Sequence, residues 1–460
     1  LVVEEVLLQL CRVVHHRFRG PFVFRELVDQ AHDGGQVFRF AGRTVAWFGR
    51  EDDMASTGGA TRRASQGDWS GGGDGSPGRV QGQRCGGGGN RVGKGIVDFQ
   101  PDLQELQTTR KKPIYPLQEG LRSYLFRHGR EMELPITYED LLDFSVSVPL
   151  RDSEGRDTLW ETVAYPQPEM QRIARALTQI YGLLKTNGVW SAVDHLTMDR
   201  IDYCTFGNSN PFRIRIVNLH NDNQDYYYIK RADASRIYGL ELEHLLSPNR
   251  MHYWTCGQTL VEEHVIGIPG DAFIRHWMDN PQIKRVRLAK ELVKFNERCF
   301  LRLLGDMRAY NFVVDITPDF DDFQLRIRPM DFDQQSYEGR KQAYLPQFYK
   351  SNNRLVFFCL ENLIKDTAYQ YQLEEHALMS RRIRLSTGRL RTLLEEMADE
   401  ELSTPDRVER LREELADHHE RREFLRAESM GDLVRESLTT LLEDEVQPAD
   451  KGAPLRTDEV

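Results

Sequence analysis

Three polar side chains between residues 303 and 335, Asp306, Asn311 and Asp331, stand at spacings that could do chemistry, with a further acid at Asp333. The stretch reads as the end of a helix, a polar loop, a strand over 312–316, an acidic turn and a strand over 323–330 that ends at Asp331-Phe332-Asp333. Alternation in Gln324-Leu325-Arg326-Ile327-Arg328 sends apolar and basic side chains to opposite faces, the mark of a half-buried strand. One hairpin thus delivers Asp306 and Asn311, from the loop that enters it, and Asp331, from the strand that leaves it, to the same end. A carboxylate, an amide and a second carboxylate so placed can hold a divalent cation and orient a hydroxyl, the equipment of phosphoryl transfer. Asp333 is either a further metal ligand or a cap for the segment after it.

The run Gly305-Asp306-Met307-Arg308-Ala309-Tyr310-Asn311, followed by an apolar strand, resembles the catalytic loop of the aminoglycoside phosphotransferase and choline kinase branch of the protein-kinase-like fold. Met330-Asp331-Phe332-Asp333 resembles that branch's metal-binding turn. The resemblance covers residues 196–349. It departs from the pattern in two places: Leu304 stands where a His usually precedes the catalytic Asp by two, and the hairpin turn over 317–322 is long and acidic.

The resemblance implies an α+β, bilobal protein-kinase-like fold, with a small antiparallel β lobe, a larger helical lobe and an N-terminal helical extension. It implies transfer of the γ-phosphoryl group of ATP to a hydroxyl of an unidentified small molecule or protein. Asp306 would orient the hydroxyl and take its proton, and Asn311 and Asp331 would hold Mg²⁺. Lys230, ending a strand over 226–230 directly before a helix over 234–246, resembles the lysine that contacts the α- and β-phosphates. Of the two glutamates on that helix, Glu241 stacks over Ile237 at the border of the apolar stripe and is chosen as the lysine's partner. Glu243, two positions on, faces away and reads as a solvated charge. The turn at Gly207 lies where the fold covers the phosphates, and the backbone of Glu262, Glu263 and His264 would meet the adenine edge. Two other outcomes use the same residues: nucleotide binding without catalysis, as in a pseudokinase or scaffold, and nucleotidyl (AMP) transfer.

Around these motifs the chain divides into an expected Gly-rich leader (1–108), a helical extension (109–195), a β-rich nucleotide lobe (196–268), a helical lobe (269–446) and a tail (447–460). The 460 residues suffice for two to four domain-sized units. A net charge of −10 argues against nucleic acid or an anionic membrane as the main partner. Six cysteines without a CxxC pair form neither a disulfide framework nor a zinc site, which fits a reducing cytoplasm. No export signal and no run of 18 apolar residues is read. The chain begins at Leu1, and its Gly-rich stretch over 58–95 has too few large apolar residues to offset its ordering entropy, so disorder and a natural start further downstream are expected. Within it, Gly88-Gly89-Asn90-Arg91-Val92-Gly93-Lys94-Gly95 nearly matches a phosphate-binding loop but lacks the final Ser/Thr and the strand and helix that loop needs, and reads as a glycine tract. Helices are expected over 117–128, 136–144 and 168–184, strands over 160–165, 198–206, 212–219 and 259–268, and a core helix leads into residue 304. The charge-dense segment 390–426 reads as solvated faces of further helices.

Overall fold

The structure, a computed structural model, describes residues 38–40, 43–45, 112–152, 155–186, 188–189, 193–205, 208–319 and 322–444. The expectations for 58–95, the loop-like run at 88–95, Gly207 and the tail therefore lie outside the described residues. Strands β1 (Phe38–Phe40) and β2 (Arg43–Val45) pair antiparallel in a small unit of their own, residues 31–96. Everything that follows belongs to the other unit, which is α+β with an antiparallel sheet and many helices.

Its largest sheet has seven strands in the order β3-β4-β5-β6-β7-β9-β8, all pairs antiparallel. These are β3 (Val146–Arg151), β4 (Asp157–Ala164), β5 (Leu196–Cys204), β6 (Phe212–Asn218), β7 (Gln224–Arg231), β8 (Tyr253–Cys256) and β9 (Thr259–Glu263). Because β4 pairs with β5, the sheet runs across the boundary placed at 195/196 from sequence. Alternation explains its buried face: Phe212, Ile214 and Ile216 on β6 point inward together. Against them lies the apolar stripe of a helix, α3 (Gln167–Lys185), through Ile173, Leu177, Ile180 and Leu184. Two shorter helices precede β3, α1 (Glu119–Arg127) and α2 (Tyr138–Leu141), the second started by Thr137 in a reciprocal box with Asp140.

Helix α4 (Ala234–Leu246) follows β7 directly and is buried at every residue but His244. A helix closed in on all sides must give each charge a partner, and Arg236, Glu241 and Glu243 each sit in a separate buried cluster. Its Gly239 lies so close to Phe332 that an added Cβ would meet the Phe332 Cβ at 3.0 Å, so absence of a side chain lets the 331–333 turn close against the helix.

Past β9 the chain enters β10 (Ile268–Pro269), α5 (Gly270–His276) and α6 (Arg285–Leu301). The expected hairpin is present as β11 (Phe312–Asp319) and β12 (Asp322–Pro329), with β10 on the outer side of β11. The remainder is helical: α7 (Asn353–Asn362), α8 (Lys365–Leu385), α9 (Thr387–Asp399), α10 (Pro405–His419) and α11 (Met430–Asp444). Their apolar faces, among them Leu393, Met397, Leu411, Leu415 and Leu433, join α4 and α6 in one core. None of the described helices is long and apolar enough to cross a membrane.

Candidate functional site

The loop from Arg302 to Asn311 is held by backbone bonds to the turn after β12. Gly305 N–H donates to the Gln334 carbonyl (3.2 Å) and Ser336 N–H to the Leu303 carbonyl (2.8 Å). Gln335 reaches back with its Nε2 to the carbonyls of Arg302 (2.5 Å) and Leu303 (3.3 Å). Leu304, where a His was expected, is buried and bridges Gln335 through the backbone. Gln335 thus braces the loop and is in turn fixed to α4 by the Ser235 hydroxyl on its carbonyl (2.5 Å).

Within the loop, Asp306 adopts a left-handed conformation (φ 55°), sparsely populated for a residue with a side chain. It is held there: its N–H donates to the Tyr349 hydroxyl (3.0 Å), which donates to the Ala343 carbonyl (2.7 Å). Arg308 Nε donates to Asp306 Oδ1 (2.7 Å), and Asn311 Nδ2 donates to the Asp306 carbonyl (2.7 Å) and, more weakly, to Oδ2 (3.3 Å). Burial pushes the Asp306 carboxyl up to about 6, with Asp331 adding to the rise and Arg308 opposing it. Met330 N–H donates to the Asn311 carbonyl (3.0 Å), placing Asp331 next to the loop. Asp306, Asn311 and Asp331 therefore come together at one end of the β11–β12 hairpin, as the sequence spacing required.

Lys230 is buried near the end of β7, and its Nζ donates to Glu262 Oε2 (2.7 Å). Glu241, chosen from sequence as that partner, is elsewhere. Its carboxylate accepts from the Tyr124 and Tyr253 hydroxyls (2.7 Å each), from Arg130 Nε (3.1 Å) and from Arg389 Nη2 (2.6 Å). Sheet register is the reason for this correction: Lys230 pairs with Leu260, so Glu262 is its diagonal neighbour on the same face. Glu243 is likewise not a solvated charge but fully buried, paired with Arg302 and accepting from Ser247 (2.6 Å) and Asn249 (2.7 Å).

The residue that ties the site together went unread in the sequence. Arg236, in the first turn of α4 and 1% exposed, grips Glu262 through Nε and through Nη2 (2.8 Å). Its Nη1 is shared between Asp331 Oδ1 and Asp333 Oδ1, at 2.6 Å each. Burial would raise the Glu262 carboxyl, yet Arg236 and Lys230 bring it down to about 2. Asp333 is pushed up, first by burial and then by Asp331. Three carboxylates thus face two cations. An arginine as the one charged residue in Ala234-Ser235-Arg236-Ile237-Tyr238 was the available signal, because such a charge on a core helix must find acids.

The residues read as a hinge divide. Glu262 is paired in the sheet on both sides, with Tyr228 and Tyr253, and spends its side chain on Lys230 and Arg236. Glu263 N–H is taken by the His252 carbonyl (3.0 Å), and its carboxylate by Lys185 and His252 (2.9 Å each). His264, just past the ladder, is held by the Tyr228 hydroxyl (3.2 Å), and burial lowers its basicity.

Could these residues take Mg²⁺? Asp331 gives Oδ1 to Arg236 and to the Asp333 N–H (3.1 Å), while its side chain stays 35% exposed. Asn311 spends its Nδ2 on Asp306, which leaves the amide oxygen. Asp333 is buried against Arg236. The available donors are thus one carboxylate and one amide oxygen, hard ligands of the kind that hold Mg²⁺ when phosphates and water complete its shell. No cluster of three or more His, Cys, Asp or Glu side chains suited to a metal occurs among the described residues. No protein-family model matches the chain, and no curated protein matches it in sequence.

Proposed function

We propose that this chain is an ATP- and Mg²⁺-dependent phosphotransferase of bilobal, protein-kinase-like architecture, with the seven-stranded sheet and α4 as its nucleotide lobe and the helices from α5 onward as its catalytic lobe. The observation that carries the reading is the meeting of Asp306, Asn311 and Asp331 at one hairpin end, with Lys230 joined to Asp331 through Glu262 and Arg236.

Lys230, oriented by Glu262, is the phosphate-binding cation. Asp331 and Asn311 are the residues to hold Mg²⁺, which when bound neutralises phosphate charge. The backbone beginning at His264, where the β9 ladder stops, is the edge open to an adenine ring. Asp306 orients the acceptor hydroxyl and takes its proton as the acceptor oxygen bonds to the γ-phosphorus and the bond to the β-phosphate oxygen breaks, releasing ADP. A carboxyl near 6 is largely ionised at neutral pH yet more basic than an ordinary aspartate, which suits a proton acceptor. The acceptor is a hydroxyl of a small molecule or a protein.

A second reading, nucleotide binding without turnover, draws on the grip of Arg236 on both Asp331 and Asp333. One experiment separates the two. Wild type and Asp331→Ala are incubated with γ- and α-labelled ATP over an acceptor panel, and products are resolved by mass. γ-label on a product, lost in the variant, is expected. α-label on product would mean nucleotidyl transfer, and thermal stabilisation by Mg²⁺-ATP without product would mean binding alone.

A further inference from the structure

Resting on the phosphotransferase reading, we propose that Arg236 makes divalent-metal binding at Asp331 conditional on a bound polyphosphate. The guanidinium is anchored in the interior: Nε and Nη2 are committed to Glu262, and only Nη1 reaches the carboxylates of the 331–333 turn. It engages one oxygen of Asp331 and holds Asp333 inward, so a bare metal ion meets a single free carboxylate oxygen and the Asn311 amide oxygen, beside a fixed positive charge.

Like charges a few ångströms apart in a partly buried site repel strongly, and two oxygen ligands do not outweigh that repulsion together with the loss of metal-bound water. A triphosphate reverses the balance by bringing several negative charges and its own oxygen ligands. Arg236 therefore serves as the resident cation that keeps the ligand-free turn folded, and the metal enters with the nucleotide. Linkage requires the converse: metal must strengthen nucleotide binding by the same factor. Arg236 acts through Asp331 and Asp333 and is a positioning residue.

The test uses Mn²⁺ as probe and the full chain, reading free aquo-Mn²⁺ by electron paramagnetic resonance with and without a non-hydrolysable ATP analogue, corrected for Mn²⁺ held by analogue in solution. In wild type, Mn²⁺ should bind about tenfold or more tightly with the analogue than without. Arg236→Gln should shrink that ratio to about threefold or less by raising affinity for Mn²⁺ alone, and Arg236→Lys, which keeps a charge but loses the fork, should fall between. Should Arg236→Gln fail to fold, as judged by circular dichroism, Arg236→Lys carries the comparison. Equal Mn²⁺ affinity with and without analogue in wild type overturns the proposal, as does an unchanged ratio in the variants. A ratio that depends on nucleotide but not on Arg236 removes only this role, whereas no Mn²⁺ bound by any form even with analogue removes the phosphotransferase reading as well.

Discussion

Two of the three buried charge clusters on helix α4 are inverses of each other. Toward its start, Arg236 is ringed by Glu262, Asp331 and Asp333; five residues later Glu241 is ringed by Arg130, Arg389, Tyr124 and Tyr253. In the second cluster two guanidiniums and two phenols leave the carboxylate fully enclosed, joining the segment before β3 to α4, β8 and α9. In the first, carboxylates outnumber cations and one of them, Asp331, stays open to solvent. Completeness marks a cluster that holds the fold, whereas surplus charge at an open edge marks one that can take a ligand. Both are built on guanidinium–carboxylate pairs, so what separates them is what is left over.

The widest separation between the two should come from removing one carboxylate from each. Asp331→Asn keeps the shape of a partly exposed side chain and should lower phosphoryl transfer about a thousandfold or more, with little change in melting temperature, checked by labelled-ATP turnover beside calorimetry. Collapse of the fold with transfer per folded molecule intact would erase the distinction. Glu241→Ala should do the reverse. It strands two guanidiniums in the interior and should cost about 3–5 kcal/mol in urea unfolding, while the protein that remains folded binds nucleotide as before.

Glu262→Gln probes the junction between the roles, because it loosens Lys230 and Arg236 together. Losing a charged hydrogen bond to the lysine should weaken ATP binding about tenfold, measured by calorimetric titration. An effect on stability alone would place Glu262 with the fold-holding cluster.

The site's placement along the chain was legible, but its electrostatic partners were not. Alternation in 324–328 and turn chemistry gave the β11–β12 hairpin, and with it the meeting of Asp306, Asn311 and Asp331, because a hairpin is a local object. Helix α4 was equally plain and spans the residues expected, Ala234–Leu246. Its environment was not plain, since periodicity assigns a helix one wet face and α4 has none. Hence Glu243 read as solvated and Glu241 as the lysine's partner. The true partner, Glu262, becomes a neighbour only through the pairing of β7 with β9 across an intervening helix and strand, and short β8 gave too little pattern to announce that order. Gln335 was missed for a similar reason: its work is done through backbone carbonyls of a loop 32 and 33 residues earlier.

Acid should reveal what the clusters share. Burial opposes ionisation of Glu241, but Arg130 and Arg389 with the two phenols hold it near 2, and Glu262 is held near 2 by Arg236 and Lys230. Both folded values lie below the ordinary 4.5, so the stability each contributes is complete above that value and is lost as pH falls from 4.5 toward 2. Urea midpoints measured across that window should fall steeply in wild type and less steeply in Glu241→Gln. An unchanged slope in the variant would mean that Glu241 is not the group being titrated.

Glu400 shows what happens to a buried carboxylate that no cation among the described residues reaches, and it should give the smallest effect. Just past α9, burial pushes it up to about 7, with Glu396 adding to the rise against hydrogen bonds that lower it, and its Oε1 has no hydrogen-bond partner among the described residues. The sign is opposite to that of Glu241. A folded value above the ordinary 4.5 gives stability that is fully present below 4.5 and lost as pH rises through about 7. Glu400→Gln removes that loss, so it should melt about 2–4 °C above wild type at pH 8, and no higher at pH 4, which lies below both the ordinary 4.5 and the folded value. A gain of the same size at both pH values would trace to packing of the amide and would remove Glu400 as the uncompensated counterpart of the two clusters on α4.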